Sequence, residues 1–297
     1  MPELPEVEAT RRHLAPVLEG AVITCVDVRR DRMVRRQPRP ADFGDRLVGR
    51  RVRAVDRHGK FLLTRVAGDV TWVTHLGLSG RIQLADPSDA EAEHTNVVVA
   101  VDRGVEVRLV DPRTFGFVAA YLIDELLSGP LAMLGPDALD ALPDEATLAA
   151  GMAGRSVAVK PLLLDQRFLA GLGNIYADEV LFGAGIHPAR PAGDLNRREV
   201  AALRAEIPRV LAAGLAHGGT SLDDLAYLLP DGRAGEYLAR LAVYGREHSP
   251  CRRCGTARRW ADTRAPSSIP QRRKLSRPSG LHGRLKRFAD IGQFVLG

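Results

Sequence analysis

The sequence predicts an α+β protein: a β-rich first domain opened by one long helix, then a helical domain, then a basic tail. Three observations carry this. Leu4, Val7, Leu14 and Leu18 recur at helical spacing, with Pro5 near the start and Gly20 as a stop. Short apolar stretches separated by turn signals follow, as far as residue 110. From Ile123 the texture changes to Ala- and Leu-rich segments.

The strand-like stretches are residues 22–28, 51–55, 61–66, 70–76, 96–101 and 105–110, with His58-Gly59 and Asp102-Arg103-Gly104 as the clearest turns. Gly135-Pro136, Leu142-Pro143 and His187-Pro188 punctuate the helical part. Residues 197–217 read as one helix ending at Gly218-Gly219. Beyond Cys254, Arg, Ser and Pro dominate residues 258–284 without a helical or strand period, which predicts a poorly folded tail. The expected domains are 1–122, 123–246 and 247–297, and no internal repeat is found.

Hydrophobic content of 45% and charged content of 26% are ordinary for a globular chain. There is no apolar run near membrane-spanning length and no signal-peptide pattern, so an intracellular, cytoplasmic protein with no membrane partner is expected. Three cysteines, with only Cys251 and Cys254 close together, argue against a disulfide framework. The net charge of +6 is unevenly spread. Residues 251–297 hold 12 Lys/Arg against 2 Asp/Glu, a net of +10, which leaves residues 1–250 at −4. The basicity belongs to the tail and does not by itself make the folded body a polyanion binder.

The opening Met1-Pro2-Glu3-Leu4-Pro5-Glu6-Val7-Glu8 is followed by His58-Gly59-Lys60-Phe61 and by His75-Leu76-Gly77-Leu78-Ser79-Gly80-Arg81. Then come Asp111-Pro112-Arg113-Thr114-Phe115-Gly116, the stretch from Lys160-Pro161 through Gly171-Leu172-Gly173-Asn174-Ile175-Tyr176-Ala177-Asp178-Glu179, and Val243-Tyr244-Gly245-Arg246. In content and order these motifs resemble the formamidopyrimidine-DNA glycosylases, over residues 1 to about 255. An isolated Pro-Glu start would read as acids favoured in a first helical turn; five further motifs in order reverse that reading. The resemblance implies a β-sandwich carrying the N-terminal helix, a helix–two-turn–helix domain, and a duplex-DNA partner bearing oxidised purines or abasic sites. It implies a monomeric glycosylase that also cleaves the strand. The opening favours this branch over the endonuclease VIII branch.

Residue chemistry supports the assignment of roles. An α-amino group has a pKa of about 7.7–8.0, so an appreciable fraction is a neutral nucleophile at neutral pH. Once Met1 is removed, Pro2 offers such a group as a secondary amine, whose adduct with the sugar C1′ stays cationic and acts as an electron sink. The resemblance makes Glu3 a general acid on the sugar and Glu6 an organiser of the N-terminus. Lys60, counted with this catalytic group, joins His75 and Asn174 as phosphate contacts, and Lys160 supplies a further one. Gly171 and Gly173 are expected to let backbone and phosphate approach closely beside Asn174.

Excision requires the damaged nucleotide to leave the stack. The family fills the gap with a methionine, an arginine and a phenylalanine; here the matching residues are Leu78, Arg113 and Phe115. Arg113 is expected to face the orphaned base and Phe115 to wedge between base pairs. The stretch from Gly218 to Tyr237 resembles a loop that closes over an everted 8-oxoguanine, with Thr220, Ser221 and Tyr237 as its candidate contacts.

The pattern breaks at Cys251-Arg252-Arg253-Cys254-Gly255, which resembles the first half of the family's zinc finger. A four-thiolate site needs a second Cys-x-x-Cys pair, and no cysteine follows Cys254. No cofactor is required for the chemistry, and the family's structural zinc is expected to be absent or weakly held at Cys251 and Cys254. His282 is the sole histidine beyond this pair, and none of Arg264, Arg272 or Arg273 is marked as the finger's phosphate-gripping arginine. Three explanations stand: a frameshift after Gly255, a hairpin that forms without metal, or a degenerate DNA-binding paralogue. The unpaired Cys-x-x-Cys favours the first or third.

Overall fold

The computed structural model describes residues 2–129, 131–222, 227–247 and 249–255. The helix expected at the N-terminus is α1, Leu4–Leu18. Its first two turns are buried, from Leu4 to Thr10. The Glu6 carboxylate accepts the Glu3 backbone N–H at 2.8 Å, one half of a capping box, which leaves the Glu3 carboxyl free for another task.

Eight strands follow, with a short helix α2 (Ala41–Asp45) after the first. They are β1 (Ile23–Val28), β2 (Val52–His58), β3 (Phe61–Val66), β4 (Val70–His75), β5 (Arg81–Ala85), β6 (Thr95–Val101), β7 (Val105–Val110) and β8 (Phe117–Leu122). Two antiparallel four-stranded sheets result, in the orders β1-β6-β7-β5 and β2-β3-β4-β8. Their facing side chains, among them Val55, Leu62, Trp72, Val97, Val99 and Leu109, form one core with Val7, Leu14 and Leu18 of α1. Six strands fall where the apolar stretches predict them. The pattern does not mark β5 and β8: β5 is a short, half-polar edge strand, and β8 follows directly on a motif that reads as a loop. β8 and β4 also show no clean alternation, because their second face is covered by a smaller cluster of Leu63, Val73, Phe117 and Ala119.

The helical part comprises α3 (Ile123–Ser128), α4 (Glu145–Met152), α5 (Val159–Leu164), α6 (Asn174–Ala184) and α7 (Arg197–Ala216). α7 starts on Asn196, whose side chain accepts the Glu199 N–H at 3.0 Å. α6 is buried from Ile175 to Phe182 and forms the axis of the second core. That core also takes in Leu4 of α1 and Cys251. The N-terminus of the chain is therefore inserted between the two halves. Of the expected third region, residues 247 and 249–255 are described; the tail, with Arg264, Arg272, Arg273 and His282, lies outside the described residues. Among the described residues, no helix is long and apolar enough to cross a membrane.

Candidate active site

Glu3 is 1% exposed and points at the start of α6. Its carboxyl accepts the backbone N–H groups of Gly173 at 2.7 Å, Ile175 at 2.8 Å and Tyr176 at 3.3 Å. These are donors that a helix leaves unsatisfied at its N-terminus, where the dipole also favours negative charge. Burial pushes the Glu3 carboxyl above the usual carboxylate range, against the pull of the Lys60 ammonium and these three donors. Beside it, Glu6 accepts the Tyr176 hydroxyl at 2.7 Å and the Thr220 N–H at 2.7 Å. Burial, and then the Glu3 charge, raise the Glu6 pKa as well. Pro2 is buried with them, so three of the expected catalytic residues occupy one turn clasped by the second domain.

The expected role of the glycines is corrected by what lies against them. A Cβ on Gly173 would come within 2.4 Å of the Glu3 carboxyl carbon, and one on Gly171, where φ is +117°, within 2.3 Å of Leu4. Both glycines let the N-terminal turn, and not a phosphate, approach the backbone. The Leu4 N–H donates to the Gly171 carbonyl at 3.1 Å. On the other side of the turn, Gly219 has φ +83° and faces Glu6.

Lys60 sits at the tip of the β2–β3 hairpin, where Gly59 has φ +55° and abuts Ala170. Burial lowers the Lys60 pKa, offset by the charges of Glu3 and Glu6 that it faces. His75, at the end of β4, lies between the rings of Phe61 and Phe117, with centroids at 4.8 and 5.8 Å. Burial, then Lys60, Arg35 and Arg36, push its pKa down to about 4, so the ring is neutral at physiological pH. Its Nδ1 accepts the Gly77 N–H at 3.1 Å, which places the ring proton on Nε2 as a directional donor.

Leu78, Arg113 and Phe115 come together from two loops. Leu78 is 37% exposed, Arg113 is exposed, and its guanidinium lies 5.9 Å from the Phe115 ring. The fully buried Asp111 organises both loops. Its carboxylate accepts Ser79 Oγ at 2.7 Å, Arg113 N–H at 3.2 Å and Gly116 N–H at 2.8 Å. Gly77 packs directly on Gly116, with no room for a Cβ. Arg35 holds the same loop by donating to the carbonyls of Phe115 and Gly116 at 3.0 and 2.7 Å.

Asn174 is the first, half-buried residue of α6. Lys160 departs from expectation: it is 1% exposed, and its ammonium binds Asp178 at 3.0 Å inside the second core. An ammonium sealed against a carboxylate holds α5 to α6 and presents no charge to a phosphate. The loop residues also differ from expectation. Thr220, Ser221 and Tyr237 are buried, and Tyr237 stacks on Tyr176 at 5.8 Å. They form an anchored base, since the polar groups of Thr220 and Ser221 are engaged by Glu6, Tyr176 and Tyr227 and the Tyr237 ring by its stack on Tyr176.

Cys251 is buried in the second core and Cys254 is exposed. Arg253 donates to the carbonyls of Phe182 and Gly183 at 3.0 and 3.2 Å, capping α6, and Arg252 donates to Ala239 and Arg240. The remaining cysteine, Cys25, is on β1, and among the described residues no three His, Cys, Asp or Glu side chains gather as a metal site. These residues do not fit a four-thiolate zinc. Sequence reasoning missed Arg57, Asp111, Tyr176 and Tyr227 as supports of the site. Asp111 and Tyr176 lie inside recognised motifs and could have been found there; no local signal marks Arg57 or Tyr227.

The fold and site define a two-domain protein whose N-terminal prolyl turn, with two buried carboxyls and a lysine, forms the candidate reaction centre. The family profile described as the formamidopyrimidine-DNA glycosylase N-terminal domain matches residues 1–118, and that described as the H2TH domain matches residues 134–225. The formamidopyrimidine-DNA glycosylase of Moorella thermoacetica is 46% identical over 257 residues, covering 86% of this chain and 92% of the relative. That of Pseudomonas putida, strain GB-1, is 44% identical over 259 residues, covering 87% and 94%. Among solved structures, the MutM (Fpg) protein of Thermus thermophilus superposes with a TM-score of 0.79 at 37% identity, covering 91% of this chain and 97% of that one. A Lactococcus lactis Fpg mutant in complex with DNA containing Fapy-dG gives 0.82 at 28% identity, covering 90% and 97%. The chain belongs to the formamidopyrimidine-DNA glycosylase family of base-excision repair glycosylases.

Proposed function

We propose that this chain excises oxidised purines, 8-oxoguanine and formamidopyrimidines, from duplex DNA and then cleaves the strand at the resulting abasic site. The observation that carries the reading is the N-terminal turn. Pro2 is buried next to Glu3, whose carboxyl faces the Lys60 ammonium and is held by three backbone donors at the head of α6. Similarity to proteins solved with Fapy-dG DNA and with abasic-site DNA supports the substrate class.

Removal of Met1 frees the Pro2 nitrogen. Its lone pair attacks C1′ and the glycosidic bond breaks, the departing base keeping that bonding pair and gaining the N–H proton that the attacking nitrogen sheds, which restores the nitrogen lone pair. The sugar ring then opens as the C1′–O4′ electrons pass to O4′ and the nitrogen lone pair forms the iminium. Glu3, whose pKa burial raises, delivers the proton to O4′. The cationic iminium accepts the electrons released when a C2′ proton is lost, which expels the 3′ phosphate; a second elimination expels the 5′ phosphate. Water hydrolyses the remaining imine and restores Pro2. Lys60, the Nε2 proton of His75 and Asn174 bind the phosphates around the everted nucleotide. Leu78, Arg113 and Phe115 fill the vacated stack, with Arg113 donating to the orphaned base, which favours cytosine.

The test is borohydride trapping of the purified chain on a duplex with one 8-oxoguanine opposite cytosine. A covalent band carrying Pro2 is expected. Its absence, beside a relative that traps, would leave a DNA-binding remnant and refute the reading.

A further inference from the structure

The segment from Tyr227 to Arg233 belongs in sequence to the second half of the chain, yet it touches three separate elements. The Tyr227 side chain is 3% exposed and packs with Ala9 of α1, Leu215 of α7 and Leu229. Its hydroxyl lies 3.1 Å from the Glu6 carbonyl and 3.3 Å from the Gly218 carbonyl, so its one proton bridges the first turns of α1 and the end of α7. The Tyr227 carbonyl accepts Ser221 Oγ at 2.7 Å, and Ser221 Oγ in turn accepts the Gly235 N–H at 2.8 Å. Further along, the Pro230 carbonyl accepts the Leu84 N–H at 3.0 Å. Leu84 lies on β5, which ends its sheet, so this bond covers an edge that would otherwise present unpaired groups. Asp231 completes the attachment, 3.4 Å from His13 Nε2 on α1, and Gly232, with φ +85°, turns the chain back.

We propose that residues 227–233 are an interdomain strap, with Tyr227 a positioning residue that holds the Gly218–Ser221 turn against α1 and the β5 edge. The strap acts through the Gly218–Ser221 turn, the start of the stretch that resembles a lesion-closing loop. It reaches the N-terminal turn only at Glu6, through the carbonyl and, by way of the Thr220 N–H, the carboxyl, whereas the Glu3 carboxyl is seated by the Gly173, Ile175 and Tyr176 N–H groups, which the strap does not touch. Resting on the proposed excision activity, the consequence is a split between two steps of one reaction. Release of an intact base needs the turn in place; strand cleavage at a preformed abasic site has no base to support.

The experiment uses the full chain with Met1 removed, and Tyr227→Phe, which keeps the packed ring and deletes the hydroxyl. Single-turnover rates are measured on 8-oxoguanine opposite cytosine and on the same duplex with an abasic site. Loss of one buried hydrogen bond predicts roughly a fivefold fall in excision, with a clearly smaller fall in strand cleavage at the abasic site. Equal loss in both, or loss in neither, overturns the proposal. Hydrogen exchange at the Leu84 and Thr220 amides provides a readout independent of activity. Both should exchange faster in Tyr227→Phe and in Asp231→Asn, and unchanged exchange overturns the strap. If the unmodified chain processes neither substrate, the functional reading falls while exchange still decides whether the strap exists.

Discussion

Arg57 offers a quantitative test of how the two halves are joined. Its side chain is 1% exposed, and its guanidinium donates to Asp137 through Nη1 at 2.5 Å and Nη2 at 3.0 Å. It also donates to Glu8 at 3.2 Å, to Asp140 and to the Gly59 carbonyl at 3.0 Å. Asp137 accepts the Gly59 N–H at 2.7 Å, so one ion pair clamps the hairpin carrying Lys60 onto the second half of the chain. In Arg57→Ala, Glu8 keeps Arg11 and Arg12, and the exposed Asp140 is rehydrated. The penalty therefore falls on Asp137, which is left buried and charged with only backbone donors. Removing one partner of such a pair costs about 3–5 kcal/mol, and the surviving donors put this case near the lower end. For a chain of this size that is a fall in Tm of roughly 6–12 °C.

The pH dependence supplies the sign. Burial raises the Asp137 pKa, but hydrogen bonding and charge from Arg57 outweigh it, and the net effect is a pKa below the ordinary carboxylate value. In the intact protein this carboxylate therefore stabilises the fold above its unfolded pKa, and that contribution fades as pH drops through the lowered folded value. Without Arg57, burial alone drives the pKa upward, and protonation relieves the stranded charge. The stability gap between the two proteins should thus narrow from pH 7 towards pH 4. Urea denaturation at several pH values measures it. A gap under about 1 kcal/mol at pH 7, or one that widens on acidification, would refute the reasoning.

Gly173→Ala is allowed by its backbone conformation, so its effect is steric: the new Cβ meets the Glu3 carboxyl at 2.4 Å. Borohydride trapping should fall more than about tenfold, with a stability loss of about 1–3 kcal/mol from overpacking; unimpaired trapping would show that Glu3 needs no fixed seat. His75, with a pKa of about 4, should keep neutral-imidazole NMR shifts through pH 6. Because the unfolded chain protonates this ring near pH 6.5 and the folded one does not, its contribution makes stability fall as pH drops from about 6.5 to 4. A titration midpoint near 6.5 in the folded protein would contradict its half-buried seat between Phe61 and Phe117.

Much of this architecture is written in local pattern. Leu4–Leu18 is legible as a helix because its apolar residues repeat at helical spacing and Gly20 ends it. The first-half strands are legible where β-branched runs meet Gly turns. Pro2, Glu3, Glu6, Lys60, His75, Leu78, Arg113, Phe115 and Asn174 can be named because each lies in a short contiguous motif. Lys160 shows where such reading ends: its motif places it correctly in the chain, yet its burial against Asp178 depends on the packing of α5 on α6.

The sequence by itself determined the family, the N-terminal helix and six of the eight strands, and it named the candidate residues of the reaction centre, because those reside in residue types and in spacings within one element. Only the tertiary structure decided what each of these residues faces. Gly171 and Gly173 read in sequence as room for a phosphate and prove to be room for Leu4 and Glu3, some 170 residues away in the chain. Arg57 and Tyr227 leave no local trace of their roles, since their partners Asp137 and Gly218 are set by how the two halves close on α1. Burial, pKa and the pairing of charges are properties of that closure. They arise from long-range contacts whose desolvation no periodicity along the chain can encode.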